Sequence, residues 1–216
     1  MKGNAAKWDN PDAGRHPLPE DPLEIAACLR AAERCMQRFP YLGLRFGARG
    51  DAFARTDSGF LVTLTRFPVE YVLAQVQWLV RVLSNRGMPG LLMEAHLEIL
   101  AAELTASLPA NAAAHRKLAD AARVLTAQRE AVLAADTFRA LAARHEPAVS
   151  GTLPNFAGLV LSAVCDEACG IASAVQSILD WAASWERGTP AWRQAVEELV
   201  HAGWKAAHAE RGSMPS

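Results

Sequence analysis

Cysteine is scarce in this chain, at four residues in 216: Cys28, Cys35, Cys165 and Cys169. That density excludes a small scaffold built on disulfides, which needs cross-links because it cannot bury a sufficient core. Charge is equally unobtrusive. The net value is −1 and charged residues make up 21%, so no bulk field draws the chain to nucleic acid or to an anionic membrane. No uncharged apolar run reaches the roughly 18 residues of a membrane span. The opening stretch, MKGNAAKWDNPDAGRHPLPEDP, lacks the apolar region of a secretory signal. These absences predict a protein of a reducing cytoplasm, and the Ala- and Arg-rich usage suits a bacterium of high GC content. Familiar chemical signatures are missing too. Glycines at 43, 47 and 50 fit neither a dinucleotide fingerprint nor a Walker loop, and no nucleophile elbow or HExxH occurs.

What remains is a chain with 51% apolar residues and helical periodicity along most of its length. Residues 1–20 read as a polar arm. Asp21-Pro22-Leu23-Glu24 then starts a helix, with Asp as cap and Pro in the first turn. Its stripe is Cys28, Ala31, Ala32, Cys35, Met36 and Phe39. A helix from Pro68 to Asn85 is apolar on two faces, Val72, Val76 and Val80 on one and Tyr71, Trp78 and Val82 on the other, which predicts a central position. Helices follow from Pro89 to about Leu108 and over 110–146, the latter with a break near LAADTF where Asp136 would cap. EPAVSGTLPN, 146–155, reads as the clearest linker. Leu161, Val164, Ala168, Ile171, Val175, Ile178, Ala182 and Trp185 then alternate by three and four, as one long helix would place them. A last helix covers about 190–210. The pattern predicts an all-α single domain over 21–210, a bundle of seven to eight helices, with 146–155 as a candidate internal boundary.

Residues 45–60, RFGARGDAFARTDSGF, conflict with the rest. Three glycines each cost about 1 kcal/mol in a helix interior, yet Phe46, Phe53, Phe60 and Phe67 recur every seven residues as on one helix face. The expected compromise is two short helices broken near Gly50 or at 56–58, capped by Asp57 or Ser58, with a short strand over 60–67 as the rival. Charge is polarised as well. Arg30, Arg34, Arg38, Arg45, Arg49 and Arg55 give 30–55 a local excess of four positive charges, and 156–200 carries an excess of four negative ones. Arginines this close repel unless anions answer them, either an external partner or the acidic residues of 156–200.

Arg45, Arg49, Asp51, Arg55 and Asp57 are therefore the candidate ligand- or partner-binding residues of a non-catalytic binding, regulatory or accessory protein. The occupant expected there is a protein partner or a small anionic ligand, not specific nucleic acid or a membrane, and apolar helix faces offer a route to homo-oligomers. The alternative reading is a cofactor- or metal-dependent helical protein, an enzyme among the options. His96, beside the inward stripe of its helix, could meet haem or another metal, and Cys28, Cys35, Cys165 and Cys169 could converge on a soft metal. Glu198-x-x-His201 is half of a di-iron pattern with no second half, and Trp181, Trp185, Trp192 and Trp204 could line a pocket for a flat ligand. Packing explains the cysteines and tryptophans without any ligand, so no cofactor is expected. A core of this size needs no metal staple, and far-ultraviolet dichroism should stay strongly helical in excess chelator. A collapse of helicity on chelation would contradict the packing assignment.

Overall fold

The computed structural model describes residues 18–151 and 153–212, the side chain of Phe53 excepted. The expected polar arm thus lies outside the described residues but for its last three positions. Among the described residues the protein is all-helical and has no strand. The helices are α1 (Pro22–Arg38), α2 (Tyr41–Leu64), α3 (Val69–Ser84), α4 (Gly90–Ser107), α5 (Ala112–Glu130), α6 (Ala135–Val149), α7 (Phe156–Ala168), α8 (Ala174–Ser184) and α9 (Pro190–Gly212), with a 3-10 turn at Pro109–Asn111 before α5. The all-α class holds, and the count is higher than seven or eight.

The extra elements have local causes. The long helix expected through 161–185 is interrupted, because Gly170 takes φ 95°, a left-handed geometry that ends α7 and turns the chain toward α8. Residues 60–64 continue α2 rather than form a strand. Within α2 the break falls at Gly47, with φ 56° and ψ −150°, and not at Gly50 or 56–58. The turn brings Phe46 back over Gly50, where an added Cβ would meet the Phe46 Cβ at 2.5 Å. Gly50 is therefore glycine because Gly47 bends. Thr56, Asp57 and Ser58 are mid-helix, so no second helix starts at Asp57 or Ser58. Phe67 lies beyond the end of α2 and is 45% exposed, so the seven-residue phenylalanine face does not persist. α6 runs to Val149 with Pro147 in its last turn, which shortens the linker, and Asp136 sits in its first turn instead of at the cap.

By internal contacts the chain forms two compact units. One comprises the chain up to Val76 with Ala95–Ala121, the other Gln77–Glu94 with everything from Ala122 onward. In the first, α1 lays Ala27, Cys28, Ala31, Ala32 and Cys35 against α2. In the second, α7 is buried from Phe156 through Cys165 on every side and packs on α6, α8 and α9. The central helix of this unit is thus α7. On α3, Tyr71 and Trp78 are 45% and 48% exposed, against the expectation that both of its apolar faces would be covered.

Several helix ends are closed by side chains from other elements. Local caps occur at α1, where Asp21 Oδ1 accepts from Leu23 N at 2.8 Å, and at α9, where Thr189 Oγ1 accepts from Trp192 N at 3.1 Å. Elsewhere, Lys117 Nζ donates to the carbonyls of Thr65 and Phe67 beyond α2. Glu210 accepts from Ala134 N at the start of α6, and Trp192 Nε1 donates to Val149 O at its end. Glu167 accepts from Val175 N in the first turn of α8, while Arg193 donates to Ala182 O and Trp185 O at its end. Gly170 gives a direct test of the chain break. No neighbour lies within 4 Å of a Cβ added there, so Gly170→Ala meets only backbone strain and should lower urea stability by about 1–2 kcal/mol. A continuous helix would instead gain about 1 kcal/mol from the same change, and that gain would contradict the observed break.

Candidate functional site: a groove between α1 and α2

The apolar stripe of α1 faces α2, which leaves its next face at the rim of the contact. Leu29, Glu33, Met36 and Gln37 lie there at i, i+4, i+7 and i+8. Across from them, beyond the Gly47 bend, stand Asp51 and Arg55. These six residues line an open groove of about 590 Å³. Asp51 and Arg55 form an i,i+4 ion pair, with side chains 36% and 43% exposed. Gln37 Nε2 donates to Glu33 Oε1 at 3.3 Å. Leu29 and Met36 supply the apolar part of the lining and Glu33, Asp51 and Arg55 its charge, and no described lining residue is a Ser, Cys or His. Such a surface can bind and orient, and Glu33 and Asp51 place two carboxylates in its lining.

The remaining candidates of this stretch lie near the groove without lining it. Arg45 Nη1 donates to Tyr41 Oη at 2.6 Å, and its guanidinium lies 5.2 Å from the Phe46 ring centre and 5.8 Å from that of Tyr41. Tyr41 is fully buried, so Arg45 holds the first turn of α2 onto the core. Arg49 is exposed and Asp57 half-buried, both on α2. The carboxylates that answer the α1 arginines come from an element the sequence reading did not single out. Glu103 of α4 accepts from Arg30 Nε at 2.7 Å and from Arg34 Nη1 at 2.5 Å, and Arg30 Nη2 also donates to Ser107 Oγ at 2.6 Å. The bond from Arg30, then that from Arg34, holds the Glu103 carboxyl below its ordinary range. Arg66 meets the buried Glu24 at 3.0 Å. Glu103 thus answers Arg30 and Arg34, Asp51 answers Arg55 and Glu24 answers Arg66, and none of these three carboxylates lies in 156–200.

The metal and cofactor candidates are dispersed. His96 is buried on α4, with Nε2 2.9 Å from Ser58 Oγ, and Ser58 Oγ also donates to Ala54 O at 2.6 Å. Burial pulls the His96 imidazole down to about 4. Cys28 and Cys35 are buried on α1, and burial pushes both thiols up to about 12. Cys165 is buried on α7, Cys169 is exposed, and burial raises both. Among the described residues no three or more His, Cys, Asp or Glu come together as a metal-holding group. His201 is exposed on α9. Trp181, Trp185 and Trp192 do cluster with Phe156, at centroid distances of 4.9 to 6.2 Å. They fill the α7–α8–α9 corner, and Trp204 instead lies beside His208.

Sequence reasoning missed a polar constellation in the second unit. Asp166 Oδ2 accepts from Gly90 N at 2.8 Å and from Ser84 Oγ at 2.9 Å, and Ser162 Oγ accepts from Leu91 N at 2.9 Å. Burial pushes the Asp166 carboxyl up to about 6 against the pull of those bonds. Beside it, Glu94 takes Arg129 Nε and Nη2, each at 3.0 Å, and Thr126 Oγ1 at 2.7 Å, with the Arg129 guanidinium 4.6 Å from the Phe138 ring centre. The available signal was the pair Ser162 and Asp166, four residues apart on a helix that is otherwise apolar up to Cys165. In the first unit His115 is also buried, and its Nδ1 has no hydrogen-bond partner.

Fold and groove together define an all-α protein with a mixed-charge surface cleft. No protein family, curated protein or solved structure matches the chain.

The two shifted groups predict opposing pH effects. Asp166 titrates near 6 folded against 3.8 ordinarily, so the folded state holds the extra proton between those values, and stability from this group falls as pH rises through them. His96 titrates near 4 folded against 6.5 ordinarily, so the unfolded state holds the extra proton, and stability is lost as pH falls from 6.5 toward 4. Asp166→Asn should therefore steepen the loss of urea stability between pH 6.5 and 4.5, and His96→Gln should reduce it. Profiles parallel to the parent's would contradict both assignments.

Proposed function

We propose that this protein is a non-catalytic binding or regulatory protein whose ligand occupies the α1–α2 groove. The observation that carries this reading is the coincidence of an open cleft with Asp51 and Arg55, two residues that the charge pattern alone had singled out. At about 590 Å³ the groove falls within the range of ligand pockets. Leu29 and Met36 provide a floor for one apolar side chain, and methionine adapts readily to varied shapes. The Asp51–Arg55 pair is exposed on both sides, and such pairs contribute about 0–1 kcal/mol. An incoming carboxylate can thus draw Arg55 away at little cost and take a bidentate hold on its guanidinium. The occupant is a short partner segment or small ligand carrying an acidic group beside an apolar one. Arg45, Arg49 and Asp57 extend the same surface along α2. The four free cysteines, Cys169 among them exposed, fit a reducing cytoplasm.

Selection of displayed peptides on the intact protein tests this reading. Enriched peptides should pair Asp or Glu with Leu, Met or Phe within a few residues. A synthetic consensus should bind at least tenfold more weakly to Arg55→Glu and to Met36→Lys, both with parental dichroism. Failure to enrich, or peptides indifferent to both changes, would contradict the groove as the site.

A further inference from the structure

The least accounted-for apolar surface lies on α3. A helix with apolar residues on two faces reads as an interior helix, yet only Val72, Val76, Leu79 and Val80 are buried along its inner side. On the outer side Phe67, Tyr71 and Trp78 are 45%, 45% and 48% exposed, and among the described residues they are three of the five exposed large apolar side chains. Phe67 and Tyr71 already touch, with ring centres 5.0 Å apart. Ala74, also exposed, lies between Tyr71 and Trp78. At 100° per residue Tyr71, Ala74 and Trp78 fall in one stripe, which Phe67 joins through its contact with Tyr71, and Glu70 and Arg81, both exposed, fall together on one flank of it.

We propose that the outer face of α3 is a self-association surface, on which two copies of this chain pair antiparallel about a twofold axis near Ala74. Such an axis sets Tyr71 against Trp78 of the other copy twice over. It also puts the small Ala74 at the crossing, where helices need close approach. In an antiparallel helix pair each flank faces its own counterpart, so Glu70 of one copy comes beside Arg81 of the other, again twice. A twofold contact must be self-complementary, and this face is so in both shape and charge. Half-exposed rings of roughly 200 Å² each give roughly 300 Å² of apolar surface per copy. With Ala74 and the stems of Glu70 and Arg81, the pair comes near the roughly 1,000 Å² at which specific interfaces begin. A reversible dimer follows, not an obligate one. The surface is separate from the α1–α2 groove, so ligand binding there and self-association here stand or fall independently.

Sedimentation equilibrium of the intact protein, over about a hundredfold range of concentration, tests this. The parent should show a concentration-dependent monomer–dimer equilibrium. Trp78→Glu should leave a folded monomer. Glu70→Lys and Arg81→Glu should each weaken association at least fivefold, and the double swap Glu70→Lys with Arg81→Glu should restore it to within about twofold of the parent. A parent that stays monomeric throughout would overturn the proposal. So would a dimer unaffected by Trp78→Glu, or single swaps that the double swap fails to rescue.

Discussion

A helix leaves three or four amides at its start and as many carbonyls at its end without partners, and in this protein several of those groups are answered from a distance. The start of α4 carries the constraint most plainly. Gly90 N and Leu91 N donate to Asp166 and Ser162, two side chains on successive turns of α7, and Leu92 N closes a turn to Pro89 O. The approach is close enough that a Cβ on Gly90 would sit 2.8 Å from Asp166 Oδ1. Glycine there, the small serine four residues before the aspartate, and the burial of α7 are one arrangement. If α7 were displaced, α4 would lose two of its first amide partners, and a buried carboxylate would lose its donors, an expensive combination. Glu210 and Trp192 tie both ends of α6 to α9 in the same manner.

Charge in the first unit follows a related economy. Glu103 neutralises two arginines of α1 at once, and Glu24, buried beneath Arg66, is answered by a single partly exposed guanidinium. Arg45 is spent on Tyr41 and Phe46. What this leaves at the groove is a weak local pair, Asp51 with Arg55, over an apolar floor. Tightly answered charges fix the helices, and on the proposed reading the loosely answered ones are open to exchange with a ligand. The bend at Gly47 is what separates the two sets, since it redirects α2 after Arg45 and before Asp51.

Legibility in the sequence tracked the range of the interaction responsible. The start of α1 was readable because Asp21 caps it within three residues, and the limits of α3, α4 and α9 followed from Pro, Gly and apolar spacing. The Asp51–Arg55 pair follows from the i,i+4 rule. Gly50 was expected to carry the break because glycine is costly in any helix. Only the tertiary fold shows that Gly47 bends and that Gly50 accommodates Phe46. The seam from Leu161 to Trp185 was periodic enough to read as one helix, and a single left-handed Gly170 overrides it. Glu103, Ser162 and Asp166 were invisible as partners because each acts across about 70 residues or more, and no local rule addresses such pairs.

The claim that α7 closes the start of α4 is most directly tested by amide hydrogen exchange at Gly90 and Leu91. First-turn amides normally exchange readily, because only water satisfies them. Here both should be protected to nearly the level of the α7 interior, and Ser162→Ala should release Leu91 while sparing Gly90. Rapid exchange at both amides in the parent protein would contradict the account.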